Sequence, residues 1–215
     1  MQTMSDVQPA PADSAEVQLL AHIRRAGRGS VWCAERFGTE LPRNSIDQAL
    51  VRLTHKGILV RIAHGVYYYP TMHPLSGQQQ PMLADVLQML ADVGVGPLIP
   101  TGATAAALFG LCDAVPTVVQ YGGVGVSRTI ATSHWTLYVR PIATRAIEGL
   151  HPLTAMLIQA MRHIGQAQWT DAHVQLVRRT ILKASYERIV EQSVLAPAWM
   201  RASMRNLFKA HQDIE

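Results

Sequence analysis

From Arg43 onward, Ile46, Ala49, Leu50 and Leu53 fall at i, i+3, i+4 and i+7, which predicts one buried stripe of a helix. Ser45 followed by Gln48 fits a capping box for its first turn. Gly57 stands where the residue after a helix takes up a left-handed conformation. The pattern then changes to a period of two. Ile58, Val60 and Ile62 alternate with Leu59, Arg61 and Ala63, and after His64-Gly65 comes Val66-Tyr67-Tyr68-Tyr69. Two β-rich runs joined by an X-Gly pair predict a hairpin, which Pro70 ends because it has no N–H to donate.

The same reading applied outward predicts a helix from about Ala15 to Arg25 with Ser14 as its cap. A second helix is expected from Ser30 to Phe37, with Val31, Ala34 and Phe37 on one face. Residues 1–13, rich in Pro, Ser and Gln, are expected to be a disordered arm, and residues 71–81 a linker. Beyond it, Met82–Val93 has a helical stripe of Val86, Leu87, Leu90 and Val93. A helix with small residues at Ala105, Ala106 and Ala107 is expected after Thr101. PTVVQYGG and SRTIATSHWTLYVRP read as antiparallel strands. Helices are expected over His151–Ile164, over Asp171 to about Ser193, and after Pro197. The expected fold class is α+β: a winged helix-turn-helix domain over 14–70, then a mixed α/β domain over 82–215 with a small antiparallel sheet and C-terminal helices.

Composition adds a direction. The chain has 215 residues, 48% of them hydrophobic and 16% charged, with 19 basic and 15 acidic side chains. Part of that surplus is local. Residues 15–70 hold Arg24, Arg25, Arg28, Arg36, Arg43, Arg52, Lys56 and Arg61 against Glu16, Glu35, Glu40 and Asp47. A basic face on a short helix beside a hairpin suits a DNA duplex, and a solvated surface is the plainer alternative.

On the DNA reading, Arg43, Asn44, Ser45 and Gln48 lie at the end of the helix that meets base edges. Arg suits guanine, and Asn or Gln suits adenine. Arg52, His55 and Lys56 are candidates for phosphate, as are Arg61 and His64 on the wing. Arg28 and Ser30 stand near an expected helix start, where N–H groups attract anions. Tyr67, Tyr68 and Tyr69 could stack on bases, but alternating strand faces make them more simply core and wing support.

The residues give little sign of catalysis or cofactors. YGGVGVSR lacks the spacing of a dinucleotide or P-loop fingerprint and reads as a turn, with Arg128 beside it unexplained. His151, His163 and His173 have no metal-ligand spacing, and His163 is expected at an interior or boundary position. Ser127 and His134 have no acid and no nucleophile elbow. Cys33 and Cys112 read as buried thiols. With no signal-peptide pattern and no spanning apolar run, the protein is expected in the cytoplasm, without cofactor or metal and without enzymatic activity.

The runs ALVRLTHKGILVRIAHGVYYYP, IPTGATAAALFGL, SRTI and HPLTAMLIQAMRHIG, in that order, resemble AbiEi-type antitoxins and their DUF6088 relatives. The resemblance covers about residues 15–165. Its most specific part is the segment with Pro100, Gly102, Ala105, Gly110 and Leu111. It implies a winged-helix domain that represses its own operon and a second domain acting as antitoxin. The counterpart would be a nucleotidyltransferase-like toxin, which need not form a stable complex. Operator DNA is the expected partner, with self-association on it possible in principle. Two alternatives stay open: a solitary regulator whose second domain senses a ligand or mediates oligomerisation, and a degenerate nucleic-acid-processing fold.

Overall fold

The computed structural model describes residues 11–38, 40–94, 96–112, 116–125, 127–143 and 148–209. Most of the expected N-terminal arm therefore lies outside the described residues. The fold is α+β and divides into two compact units, Met1–Gly94 with Ile130–His134, and Val95–Thr129 with Trp135–Glu215.

In the first unit, α1 (Pro11–Ala26) is followed by β1 (Val31–Trp32), a 3-10 turn (Ala34–Phe37), α2 (Arg43–His55), β2 (Val60–Ala63) and β3 (Val66–Tyr68). The expected stripe of α2 is all buried: Ile46, Ala49, Leu50 and Leu53 are no more than 1% exposed and pack with Leu19, Ile23 and Leu59. Gly57 has φ 68°, with Gly57 N–H donating to Thr54 O and Ile58 N–H to Leu53 O, a Schellman closure that satisfies the last carbonyls of α2. Gly65 has φ 69° in the two-residue turn between β2 and β3.

Helix α1 begins at Pro11, so Ser14 lies inside it instead of capping it, and residues 11–13 are helical where the arm was expected to continue. Three further local expectations fail. Ser45 does not cap α2: the helix begins two residues earlier, after Pro42, with no side-chain cap. The helix expected from Ser30 is a strand followed by one 3-10 turn. Ser30 Oγ donates to Gly27 O and accepts from Trp32 Nε1, so it is unavailable as a cap. Val31 and Trp32 instead pair antiparallel with Tyr68 and Tyr67, giving a three-stranded sheet in the order β1-β3-β2. A β-branched and an aromatic residue suit such a ladder better than a helix. Thirdly, the segment read as a linker carries a small hairpin, β4 (Met72–His73) and β5 (Gly77–Gln78), closed where Gly77 has φ 72°. The helix α3 (Leu83–Asp92), expected in the second domain, groups with the first unit. Its Asp92 accepts from Arg36 Nη2 at 2.8 Å.

The remaining elements are β6 (Ile99–Pro100), α4 (Gly102–Leu108), β7 (Val118–Gly123), β8 (Arg128–Ala131), β9 (Thr136–Pro141), α5 (Pro152–Ile164), α6 (Asp171–Thr180), α7 (Tyr186–Gln192) and α8 (Ala198–Lys209), all in the second unit except the last two residues of β8, which group with the first. Sheet order is β6-β7-β9-β8. The strands expected to be simply antiparallel form a mixed sheet: β6 and β7 are antiparallel, but β7 and β9 run parallel, Val118 opposite Thr136 through Gly123 opposite Pro141. Because β8 takes up the intervening chain, the next strand returns in the direction of β7. Ala105 and Ala106 are fully buried, and small side chains there let α4 approach α5 closely. Phe109, Leu157, Met161, Val177, Met200, Met204 and Leu207 build the helical core. The long helix expected from Asp171 is broken by Leu182 and a 3-10 turn at Lys183–Ser185 into α6 and α7.

Candidate nucleic-acid interface

The outward face of α2 is open to a partner, since its inward face is fixed by the core. Asn44, Gln48, Val51 and His55 are exposed and spaced at i, i+4, i+7 and i+11, so they share one side of the helix. Val51 is 41% exposed. Among the described residues no hydrogen bond or ion pair engages the side chains of Asn44, Ser45, Gln48 or His55. This stripe offers amide and imidazole groups to whatever meets it.

The cations beside it are engaged. Arg43 forks between Asp47, with Nε 3.1 Å from Oδ2, and Glu35, with Nη1 3.2 Å from Oε1. Burial opposes charge on Arg43, but its two carboxylate partners prevail and hold its pKa above the ordinary value. Arg52 and Lys56 both reach back to Glu16 on α1, Arg52 Nε at 3.2 Å. The Lys56 hydrogen bond is the main cause of a Glu16 carboxyl held below the usual range, while burial pushes the other way and Arg52 adds to the lowering. The helix read as mostly basic thus carries a largely internally balanced charge.

The other sequence candidates are placed as follows. Arg28 donates from Nη1 to Pro70 O at 2.8 Å and lies over the Tyr69 ring, 4.9 Å from its centroid. Ser30 is part of the Gly27–Trp32 turn already described. On the hairpin, Arg61 donates from Nε to Ala63 O and from Nη2 to His64 Nδ1 at 3.0 Å. Both side chains stay exposed at the tip. Tyr67 and Tyr68 are buried, and Tyr68 shares a hydrogen bond with Thr71 Oγ1. Neither presents a free ring for stacking.

Sequence reasoning gave little weight to Arg24 and Arg25. They are exposed in the last turn of α1, where a helix favours cations, and neither has a partner among the described residues. They differ from Arg43, Arg52 and Lys56 only in lacking a carboxylate nearby, which the sequence order does not display.

Elsewhere the singled-out histidines have local roles. His151 Nδ1 accepts from Leu153 N–H at the start of α5, and His173 forms a capping box with Thr170 and stacks on Trp169. His163, expected inside or at a boundary, is exposed. Cys33 is buried and Cys112 half-buried. Among the described residues no group of three His, Cys, Asp or Glu could hold a metal ion, and no helix is long and apolar enough to cross a membrane.

The model of a family of unknown function, DUF6088, matches residues 18–189. No curated protein matches the chain. Among solved structures the chain is similar to the crystal structure of the RV2827C protein from Mycobacterium tuberculosis, at 18% identity and a TM-score of 0.40, over 94% of this chain and 84% of that one.

Proposed function

The chain belongs to the DUF6088 family of unknown function, and on that premise we propose that its first unit is a winged helix that binds double-stranded operator DNA and represses the chain's own gene. In this reading α2 enters the major groove, and the β2–β3 hairpin lies as the wing against the backbone. The supporting order of elements is helix, strand, short turn, helix and hairpin, with the strand closing the hairpin into a three-stranded sheet. The observation that carries the proposal is the unpartnered polar stripe Asn44, Gln48 and His55 on the exposed side of α2. Base edges in the major groove present hydrogen-bonding groups, and Asn and Gln match adenine bidentately. Arg24, Arg25 and the hairpin-tip Arg61 are the cations best placed by exposure to meet phosphate, with Arg28, Arg43, Arg52 and Lys56 available only by exchange of their present partners.

The second unit is proposed to supply an antitoxin activity against a nucleotidyltransferase-like toxin, which rests on the resemblance of its Pro100–Leu111 and Ser127–Ile130 segments to AbiEi-type antitoxins. The chain acts by binding, not by catalysis, in the cytoplasm. Footprinting the full chain on the DNA upstream of its own gene tests the first half. A protected site is expected, with Asn44→Ala and Gln48→Ala each losing about 1–3 kcal/mol of discrimination at one base pair and keeping the salt dependence. No protection at low ionic strength by folded protein sinks the DNA reading. Co-expression with a nucleotidyltransferase-like protein encoded beside this chain's gene, which the reading requires, tests the second half: both the full chain and its Asn44→Ala/Gln48→Ala variant should relieve the growth arrest it causes, and failure of both would overturn the antitoxin role.

A further inference from the structure

A second feature lies in the other unit and does not depend on the DNA reading. Along β8 and β9, a cavity of about 480 Å³ is lined by Ser127, Arg128, Thr129, Tyr138 and Arg140. Among the described residues no carboxylate lines it. None of these five side chains has a hydrogen-bond or ion-pair partner among the described residues. The Nε of Arg128 is fully buried and unpaired. A guanidinium N–H removed from water without an acceptor costs free energy, so its proteins ordinarily supply one. Every engaged arginine of the first unit described above has its carboxylate, carbonyl or imidazole; Arg128 has none among the described residues.

We propose that this cavity binds a phosphorylated small molecule of about nucleotide size, its phosphate held between Arg128 and Arg140. Two guanidiniums match the charge of a phosphate dianion and can fork onto its oxygens. The hydroxyls of Ser127 and Thr129 are further donors at the rim. The volume exceeds what a bare phosphate fills and falls in the range of small-molecule sites. Tyr138, half-buried in the same lining, offers an aromatic face to the rest of the ligand.

The test is calorimetric titration of the full chain with AMP, ATP, inorganic phosphate and adenosine. AMP or ATP should bind saturably, inorganic phosphate more weakly, and adenosine not at all. Arg140→Gln, an exposed position that leaves the fold intact, should weaken AMP or ATP binding about ten- to a hundred-fold. Arg128→Lys keeps the charge but loses the fork, and should weaken it as well, with the circular dichroism spectrum of the wild type. Arg24→Gln/Arg25→Gln, which removes the two most open cations of α1, should leave nucleotide binding unchanged, which separates this site from any phosphate affinity of the first unit. Absence of saturable AMP or ATP binding at millimolar ligand, equal binding of adenosine, or full affinity in both arginine variants would overturn the proposal. A negative footprint on operator DNA would not touch it.

Discussion

Glu16→Gln removes one charge and disturbs three side chains. In the folded chain the Glu16 side chain is only 12% exposed, and it accepts from both Arg52 Nε and Lys56 Nζ, thereby clamping α1 to the last turn of α2. The Lys56 arm is 57% exposed, so solvent screens it and it contributes about 0.2–1 kcal/mol. The Arg52 arm is 32% exposed and charge-assisted, with a contribution of roughly 1.5 kcal/mol. Glutamine keeps a carbonyl that can still accept, so the net loss should be about 1–2 kcal/mol, or ~5–10 °C in the melting of the first unit.

The loss should also depend on pH in a defined sense. The folded carboxyl of Glu16 is held below its ordinary value, chiefly by the Lys56 hydrogen bond. The clamp is therefore complete above the unfolded pKa and disappears as pH falls through the depressed folded one. Urea unfolding followed by circular dichroism at neutral pH and at successively lower pH should show the wild type and variant converging in the acid range. The substitution also releases Arg52 and Lys56. If α2 lies on a duplex, nonspecific DNA affinity at low salt should rise, and the salt slope should steepen by up to ~0.9 for each released cation that finds a phosphate. Equal stability of the two proteins at neutral pH, or a gap that persists unchanged into acid, would refute the clamp. A destabilised variant whose DNA affinity and slope do not change would refute the placement of these cations near DNA.

Other substitutions probe the scaffold. Leu50→Ala empties a fully buried position between α1 and α2 and should cost about 2–5 kcal/mol in denaturant unfolding. Gly57→Ala meets no neighbouring atom, yet a φ of 68° is costly for any residue with a Cβ; a loss of about 1–2 kcal/mol without loss of helix content is expected. At Gly122, by contrast, an added Cβ would stand 3.1 Å from Ile142 Cβ and 3.2 Å from Thr101 Cγ2, so Gly122→Ala should lower the thermal midpoint of the second unit through crowding alone.

Features that depend on neighbours a few residues apart could be read directly from the chain. The α2 stripe, the Gly57 closure and the His64-Gly65 hairpin follow from helical and strand periods and from glycine's freedom at positive φ. The α+β class follows from the same periods. Where distant partners decide, local periodicity does not predict the outcome. Val31 and Trp32 have a helical spacing with Ala34 and Phe37, but Tyr67 and Tyr68 recruit them into a sheet. Strand β9 takes its direction from β7 only after β8 has used the chain between them. The charge of the α2 face depends on Glu16, which lies 36 residues before Arg52 and 40 before Lys56. In one dimension Arg24, Arg25, Arg52 and Lys56 are equivalent cations; folding alone brings an acid to two of them and leaves the others open. The same holds for Arg128, whose missing partner becomes visible only when the strands around it are in place.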